Sequence, residues 1–179
     1  RYAMASEFTT IMQRLWSEDE ELTYKGKYWK TNGAFVAPKP ENGSVIMVNA
    51  GSSPAGIDYA TSHSDIIFVT SPGGAEPTAA VKSLRPHLKK IRQAAKEKKR
   101  KIKIMINPHV ICRETEEEAW KQYHRILDQR DEIATDNFVA TFMGGDQSSW
   151  RGHSKSNWAV GGNVHLVGTP EQIVDWFIK

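Results

Sequence analysis

Ser52 and Ser53 stand between a short apolar run, Val45-Ile46-Met47-Val48, and Pro54, and this order gives the two hydroxyls a defined chemistry. The run has the length and composition of a strand covered on both faces. Gly51 lets the backbone turn sharply after it. Ser53 is then the natural N-cap of a helix. Pro54 suits the first helical position, where the N–H it lacks would have had no partner. The next acidic residue is Asp58, a full turn further on. Free amides, two hydroxyls and the positive end of a helix dipole would meet at one spot, and such a spot takes an anion, phosphate above all. The same residues also describe an ordinary strand-to-helix loop in which the serines only cap.

A second helix start, Gly168-Thr169-Pro170-Glu171-Gln172, sharpens the contrast. Thr169 caps, Gln172 completes a capping box, and Glu171 already puts a carboxylate on the positive end of the dipole. The first loop is therefore the better anion site. Other chemistry is thin. His109 follows Pro108 near an expected strand end, but a lone histidine is more often packed or exposed than catalytic. His63, His153 and His165 have no metal-ligand spacing with one another or with Cys112, so no metal site is expected. Cys112 reads as a small packing residue. Trp150, Arg151 and Trp158 lie in a Gly- and Ser-rich stretch, 144–162, which suits either a flexible lid over a site or a loop whose tryptophans rest on the surface.

The elements that must hold these residues follow from periodicity. A helix is expected over 3–15, with Phe8, Ile11, Met12, Leu15 and Trp16 on its packed stripe. Residues 20–44 read as an excursion of short β pieces around Gly26 and a Pro-rich passage. Beyond it the order is regular: strand 45–49, helix 54–63, strand 66–69, helix 77–98 and strand 102–106. Val110 and Ile111 are expected to extend that last strand. A helix opened by a Thr115–Glu118 capping box and another over 131–143 come next. Such alternation implies parallel strands joined by helical crossovers, an α/β fold in a single domain over 1–179.

With 39% hydrophobic and 25% charged residues the chain can bury a core, and no run is long enough to span a membrane. It opens at Arg1 without methionine or a leader, so its first residue need not be the biological start. One cysteine excludes an internal disulfide and points to a reducing, cytoplasmic location. The net charge of +3 is concentrated over 89–103. Leu84, Leu88, Ile91 and Ala95 recur there at helical spacing, so the cations read as the solvated face of an amphipathic helix rather than a nucleic-acid surface.

Several separate passages resemble the bacterial-luciferase-like flavin-dependent monooxygenases. Arg1-Tyr2, Glu7-Phe8 and Leu15-Trp16 are similar to a family helix that an Arg-Tyr pair opens and Leu-Trp closes. TYKGKYW followed by PKP resembles the β excursion and Pro-rich passage after it. NAGSSPAG resembles the loop that holds the flavin phosphate, and VGTPEQIVD resembles a strand-to-helix entry near the family's C-terminal end. The order and spacing agree from Arg1 to Lys179, and the subgroup most similar in look contains the pyrimidine, alkanesulfonate and dimethylsulfone monooxygenases.

The resemblance implies a fold, part of a (β/α)8 TIM barrel of luciferase-like type. A whole barrel needs eight strands and about 250 residues. The expectation is therefore an interior and C-terminal portion that lacks the N-terminal half and the extreme C-terminus. It further implies FMN as cofactor, supplied reduced by a separate flavin reductase, with O2 and a small organosulfur or nitrogen-heterocyclic substrate. Arg1, Tyr2, Gly51, Ser52 and Ser53 match the residues around the FMN phosphate, while catalytic residues are not identified. Neither a nucleic acid nor a membrane is an expected partner. An incomplete barrel should expose strand edges and apolar surface, so a homo-oligomer is expected. Two alternatives remain open: a deazaflavin-dependent oxidoreductase of the same fold, and a non-enzymatic domain that binds a partner through the basic 89–103 helix.

Overall fold

Caps and apolar periodicity set the helices, and chain crossover sets the strands, in a computed structural model that describes residues 1–143 and 152–178. Two compact units emerge. One comprises Arg1–Phe68 with Arg92–Ile104, the other Val69–Ile91 with Met105–Lys179.

The first unit opens with α1 (Tyr2–Ser17), which has no acidic residue in its first turn and no side-chain cap from Arg1. Its buried residues are Thr9 and Ile11, whereas Phe8 is 45% exposed. Ile11 of the expected apolar stripe is buried and Met12, Leu15 and Trp16 are half-buried, while Phe8 is not and Thr9 joins the buried face. The reason is that α1 meets α2 (Pro54–His63) through hydroxyls and rings rather than aliphatic side chains, as described below. An antiparallel hairpin follows, β1 (Leu22–Lys25) with β2 (Lys30–Ala34), within the expected excursion. Its Trp29 ring packs on Phe8 at 5.3 Å.

β3 (Val48–Asn49) and β4 (Ile66–Phe68) pair in parallel, Val48 opposite Ile66, and β5 (Lys103–Met105) completes a sheet of order β3-β4-β5. The strand expected over 45–49 is shorter and not covered. Ile46, just before β3, is 71% exposed and Val48 is 51% exposed, and β3 is an edge strand. The helix predicted over 77–98 is α3 (Pro77–Glu97), and its expected inward positions Ile91 and Ala95 are buried. Lys89, Lys90, Arg92 and Lys96 are exposed, as a solvated face requires.

In the second unit β6 (His109–Cys112) and β7 (His165–Gly168) form their own parallel ladder, His109 opposite His165 and Cys112 opposite Gly168. Val110 and Ile111 thus do not extend β5. Asn107-Pro108 interrupts the run, and proline has no N–H to continue a ladder. α4 (Glu116–Asp128) starts on the predicted Thr115–Glu118 capping box, and α5 (Glu132–Met143) follows. The stretch expected to be one long loop contains α6 (Asn157–Val160), with Trp158 only 8% exposed. Burial excludes a surface role for that ring, while Trp150 and Arg151 lie outside the described residues. α7 (Pro170–Ile178) closes the unit. Ala80, Val164, Leu166 and Ile173 form its core, with Leu84, Cys112 and Trp176 packed against them.

The α/β alternation is as expected. Among the described residues the sheets hold two, three and two strands and none closes on itself. No described helix is long and apolar enough to cross a membrane.

Candidate phosphate-binding site

The loop from β3 to α2 forms the predicted helix start. Ser53 is extended (φ −66°, ψ 158°), its Oγ accepts from Gly56 N at 3.1 Å, and its carbonyl accepts from Ile57 N at 2.8 Å. Gly51 N donates to Asn49 Oδ1 at 2.7 Å. The amides of Gly51 and Gly56 are thus already held, which narrows the expected set of free amides. The Ser53 hydroxyl still has its proton to donate, because its oxygen serves only as acceptor in the cap. Ser52 is half-buried beside it.

Gly51 and Gly56 pack against each other. A Cβ on Gly51 would lie 2.8 Å from the Gly56 carbonyl oxygen; one on Gly56 would lie 2.9 Å from the Tyr2 hydroxyl and 3.1 Å from Ser53 Oγ. The structure therefore brings Tyr2, at the start of α1, to the cap of α2. Arg1 precedes it as the exposed N-cap of the same helix. Gly56 itself was missed in the sequence reading. Its signal was a glycine inside the first helical turn, a costly choice unless something approaches closely. Two helix starts without a first-turn carboxylate, with a phenol and a serine hydroxyl between them, fit a phosphate monoester.

The seam below fixes this arrangement. Ser6 Oγ and His63 Nε2 are 2.5 Å apart, Thr9 Oγ1 and Tyr59 OH 2.7 Å, and Gln13 Nε2 donates to the His63 carbonyl. The Tyr59 ring lies 5.6 Å from that of Tyr2 and 5.1 Å from that of His63. Burial holds the His63 imidazole below its ordinary pKa, and the cations of Arg100 and Lys98 push the same way against Asp58. Both effects favour the neutral ring, which pairs with the Ser6 hydroxyl as acceptor or donor according to its tautomer.

The second helix start behaves as predicted. Gln172 Oε1 accepts from Thr169 N at 2.9 Å, and Glu171 accepts from the Thr169 hydroxyl. The Glu171 carboxyl is held low first by a backbone N–H, then by Thr169. That helix end is already occupied by its own carboxylate.

His109 does not sit where barrel enzymes place functional groups. It is the first residue of β6, at the amino end, and its ring meets His165 edge-on at 5.9 Å. His165 is 5% exposed, with Nε2 2.8 Å from the Gly161 carbonyl and Nδ1 3.2 Å from Tyr123 OH. A carbonyl only accepts, so Nε2 carries the proton and Tyr123 donates to Nδ1. Burial lowers the His165 pKa. These histidines pack. Among the described residues no three His, Cys, Asp or Glu side chains group to hold a metal.

By contrast the β3–α2 loop lies at the carboxyl end of a parallel strand, the position from which α/β enzymes address a phosphate-bearing ligand. The chain belongs to the luciferase-like monooxygenase family, which matches residues 1–179. It is 30% identical over 186 residues to an FMNH(2)-dependent dimethylsulfone monooxygenase of Pseudomonas fluorescens (strain Pf0-1), covering 98% of this chain and 48% of the relative. It is also 30% identical over 177 residues to the pyrimidine monooxygenase RutA of Bradyrhizobium sp. (strain BTAi1 / ATCC BAA-1182), covering 98% of this chain and 44% of that one. The crystal structure of DmoA from Hyphomicrobium sulfonivorans superposes with a TM-score of 0.80 at 20% identity, over 98% of this chain and 47% of that chain. The chain spans about half the length of the curated relatives it matches.

Proposed function

We propose that the whole protein to which these residues belong is an FMN-dependent two-component monooxygenase, and that this chain carries the phosphate end of its flavin site. In this reading the chain is part of a (β/α)8 barrel. Ser52, Ser53 and the turn at Gly51 receive the phosphate on one side; Arg1 and Tyr2 receive it on the other. The observation that carries the reading is the approach of the Tyr2 hydroxyl to Gly56 and Ser53 across two carboxylate-free helix starts. The guanidinium would add charge-assisted bonds to phosphate oxygens, and the hydroxyls of Tyr2 and Ser53 would orient them. When bound, reduced FMN would supply the electron pair that lets O2 give one oxygen atom to the substrate and the other to water. The chain's own part is to bind and orient.

The relatives' names point to small organosulfur or pyrimidine compounds as substrates, and the two-component reading makes a separate flavin reductase the partner. A cytoplasmic homo-oligomer completes the proposal. Titration with FMN and with riboflavin tests it. A preference for FMN that falls on Ser53→Ala and on Tyr2→Phe supports the reading, and oxygen uptake with reduced FMN extends it. Equal affinity for the two flavins defeats the cradle. Deazaflavin reduction without oxygen uptake would replace the oxygenase by an oxidoreductase of the same fold.

A further inference from the structure

Tyr2 cannot hold its position by its own helix. It is the first residue of α1, Arg1 provides no side-chain cap, and an uncapped helix end frays. What it leans on is Tyr59, whose ring lies 5.6 Å away at 39°. Tyr59 is one turn beyond Gly56 on α2, so the residue that backs the phenol is carried by the helix whose cap the phenol must reach. Tyr59 is itself held at both ends. Its hydroxyl is 2.7 Å from Thr9 Oγ1, a residue only 2% exposed, and its ring meets His63, which is tied to Ser6. One row of α1, namely Tyr2, Ser6, Thr9 and Gln13, thus engages one row of α2, Gly56, Tyr59 and His63.

We infer that Tyr59 is a positioning residue for the flavin phosphate: it touches no ligand, and acts by fixing the Tyr2 hydroxyl over the Gly56–Ser53 cap. The inference rests on the FMN reading above. The ring face is the part that matters, since Tyr2 meets the ring while the Tyr59 hydroxyl points to Thr9.

The test compares oxidised FMN with riboflavin, which differ by the phosphate alone, in fluorescence titrations of the whole protein and its variants. Tyr59→Leu should weaken FMN by about fivefold to tenfold and leave riboflavin unchanged, while Tyr59→Phe, which keeps the ring, should retain most of the FMN preference. Combined with Tyr2→Leu, Tyr59→Leu should cost no more than Tyr2→Leu alone, because it acts through Tyr2. Where Tyr59→Leu does not yield folded protein, Tyr59→Met, similar in volume without a ring face, has the same expected result. Equal loss for both flavins, no loss for either, or additive loss with Tyr2→Leu overturns the inference and leaves the cradle standing. A wild-type protein indifferent to the phosphate overturns the cradle, and the role of Tyr59 with it.

Discussion

Lys98 Nζ lies 2.6 Å from Asp58 Oδ1, and the same ammonium also reaches the Asp58 carbonyl, Thr61 Oγ1 and Ser62 Oγ. One cation, just past the end of α3, thereby grips the middle of α2. Arg100 adds a bond to the Ser64 carbonyl at the other end of that helix. The Asp58 side chain is 77% exposed, so most of the value lies in the bonds to the carbonyl and the two hydroxyls rather than in the ion pair. Lys98→Met should cost about 1–2 kcal/mol in chemical denaturation, and most of that loss should persist in high salt.

Gly56 and Gly51 separate stability from binding. A Cβ on Gly56 meets the end of a movable side chain, Tyr2, at 2.9 Å, although Gly51 Cα is also near at 3.0 Å. Gly56→Ala should therefore change stability by no more than about 1 kcal/mol, since helix propensity offsets part of the strain. It should still lower FMN affinity about tenfold by displacing the phenol. At Gly51 the added atom meets backbone, the Gly56 carbonyl, and Gly51→Ala should cost about 1–3 kcal/mol in a thermal melt.

Ser53→Ala removes a cap whose Oγ accepts from Gly56 N. The loss should be about 1 kcal/mol, and Ser53→Asp should restore stability while repelling phosphate. Recovery of FMN binding in the aspartate variant would contradict the site.

Buried His165 and half-buried His63 should weaken the fold in acid. His165 and His63 are both held below the ordinary imidazole value of 6.5, chiefly by burial. As pH falls the unfolded chain takes up protons first, so the stability they contribute is intact above about pH 6.5 and is lost progressively below it, towards their folded values. His165→Gln should flatten the decline in stability as pH falls below about 6.5, read by denaturation at each pH. An unchanged slope would assign the decline to other groups.

The exposed edge strand predicts association. Val48 on β3 and Ile46 just before it are 51% and 71% exposed. The isolated chain should sediment as concentration-dependent oligomers, and Ile46→Lys with Val48→Lys should shift it towards monomer.

Local chemistry made α2 legible to the residue, because a serine cap, a proline at the first position and the residues that follow act within one turn. The capping boxes at Thr115 and Thr169 were readable for the same reason. The inward positions Ile91 and Ala95 of α3 followed from spacing. Periodicity misled where a partner element decided the face. In α1 the apolar stripe included Phe8, which is exposed, whereas Thr9 is buried along with Ile11, since the Tyr59 hydroxyl on α2 pairs with the Thr9 hydroxyl. Val110 and Ile111 looked like a continuation of β5, and pairing with β7 made them a separate strand.

The order of residues by itself determined the alternation of strands and helices, the caps that start α2, α4 and α7, and the tight strand-to-helix turn at Gly51-Ser52-Ser53. Each depends on neighbours within a few positions. Only the tertiary structure decided that Tyr2 stands over Gly56, that Tyr59 backs it, and that His109 faces His165 across a ladder. Those relations join residues about 50 positions apart, such as Thr9 and Tyr59, and only a packed helix pair or strand pair can set them.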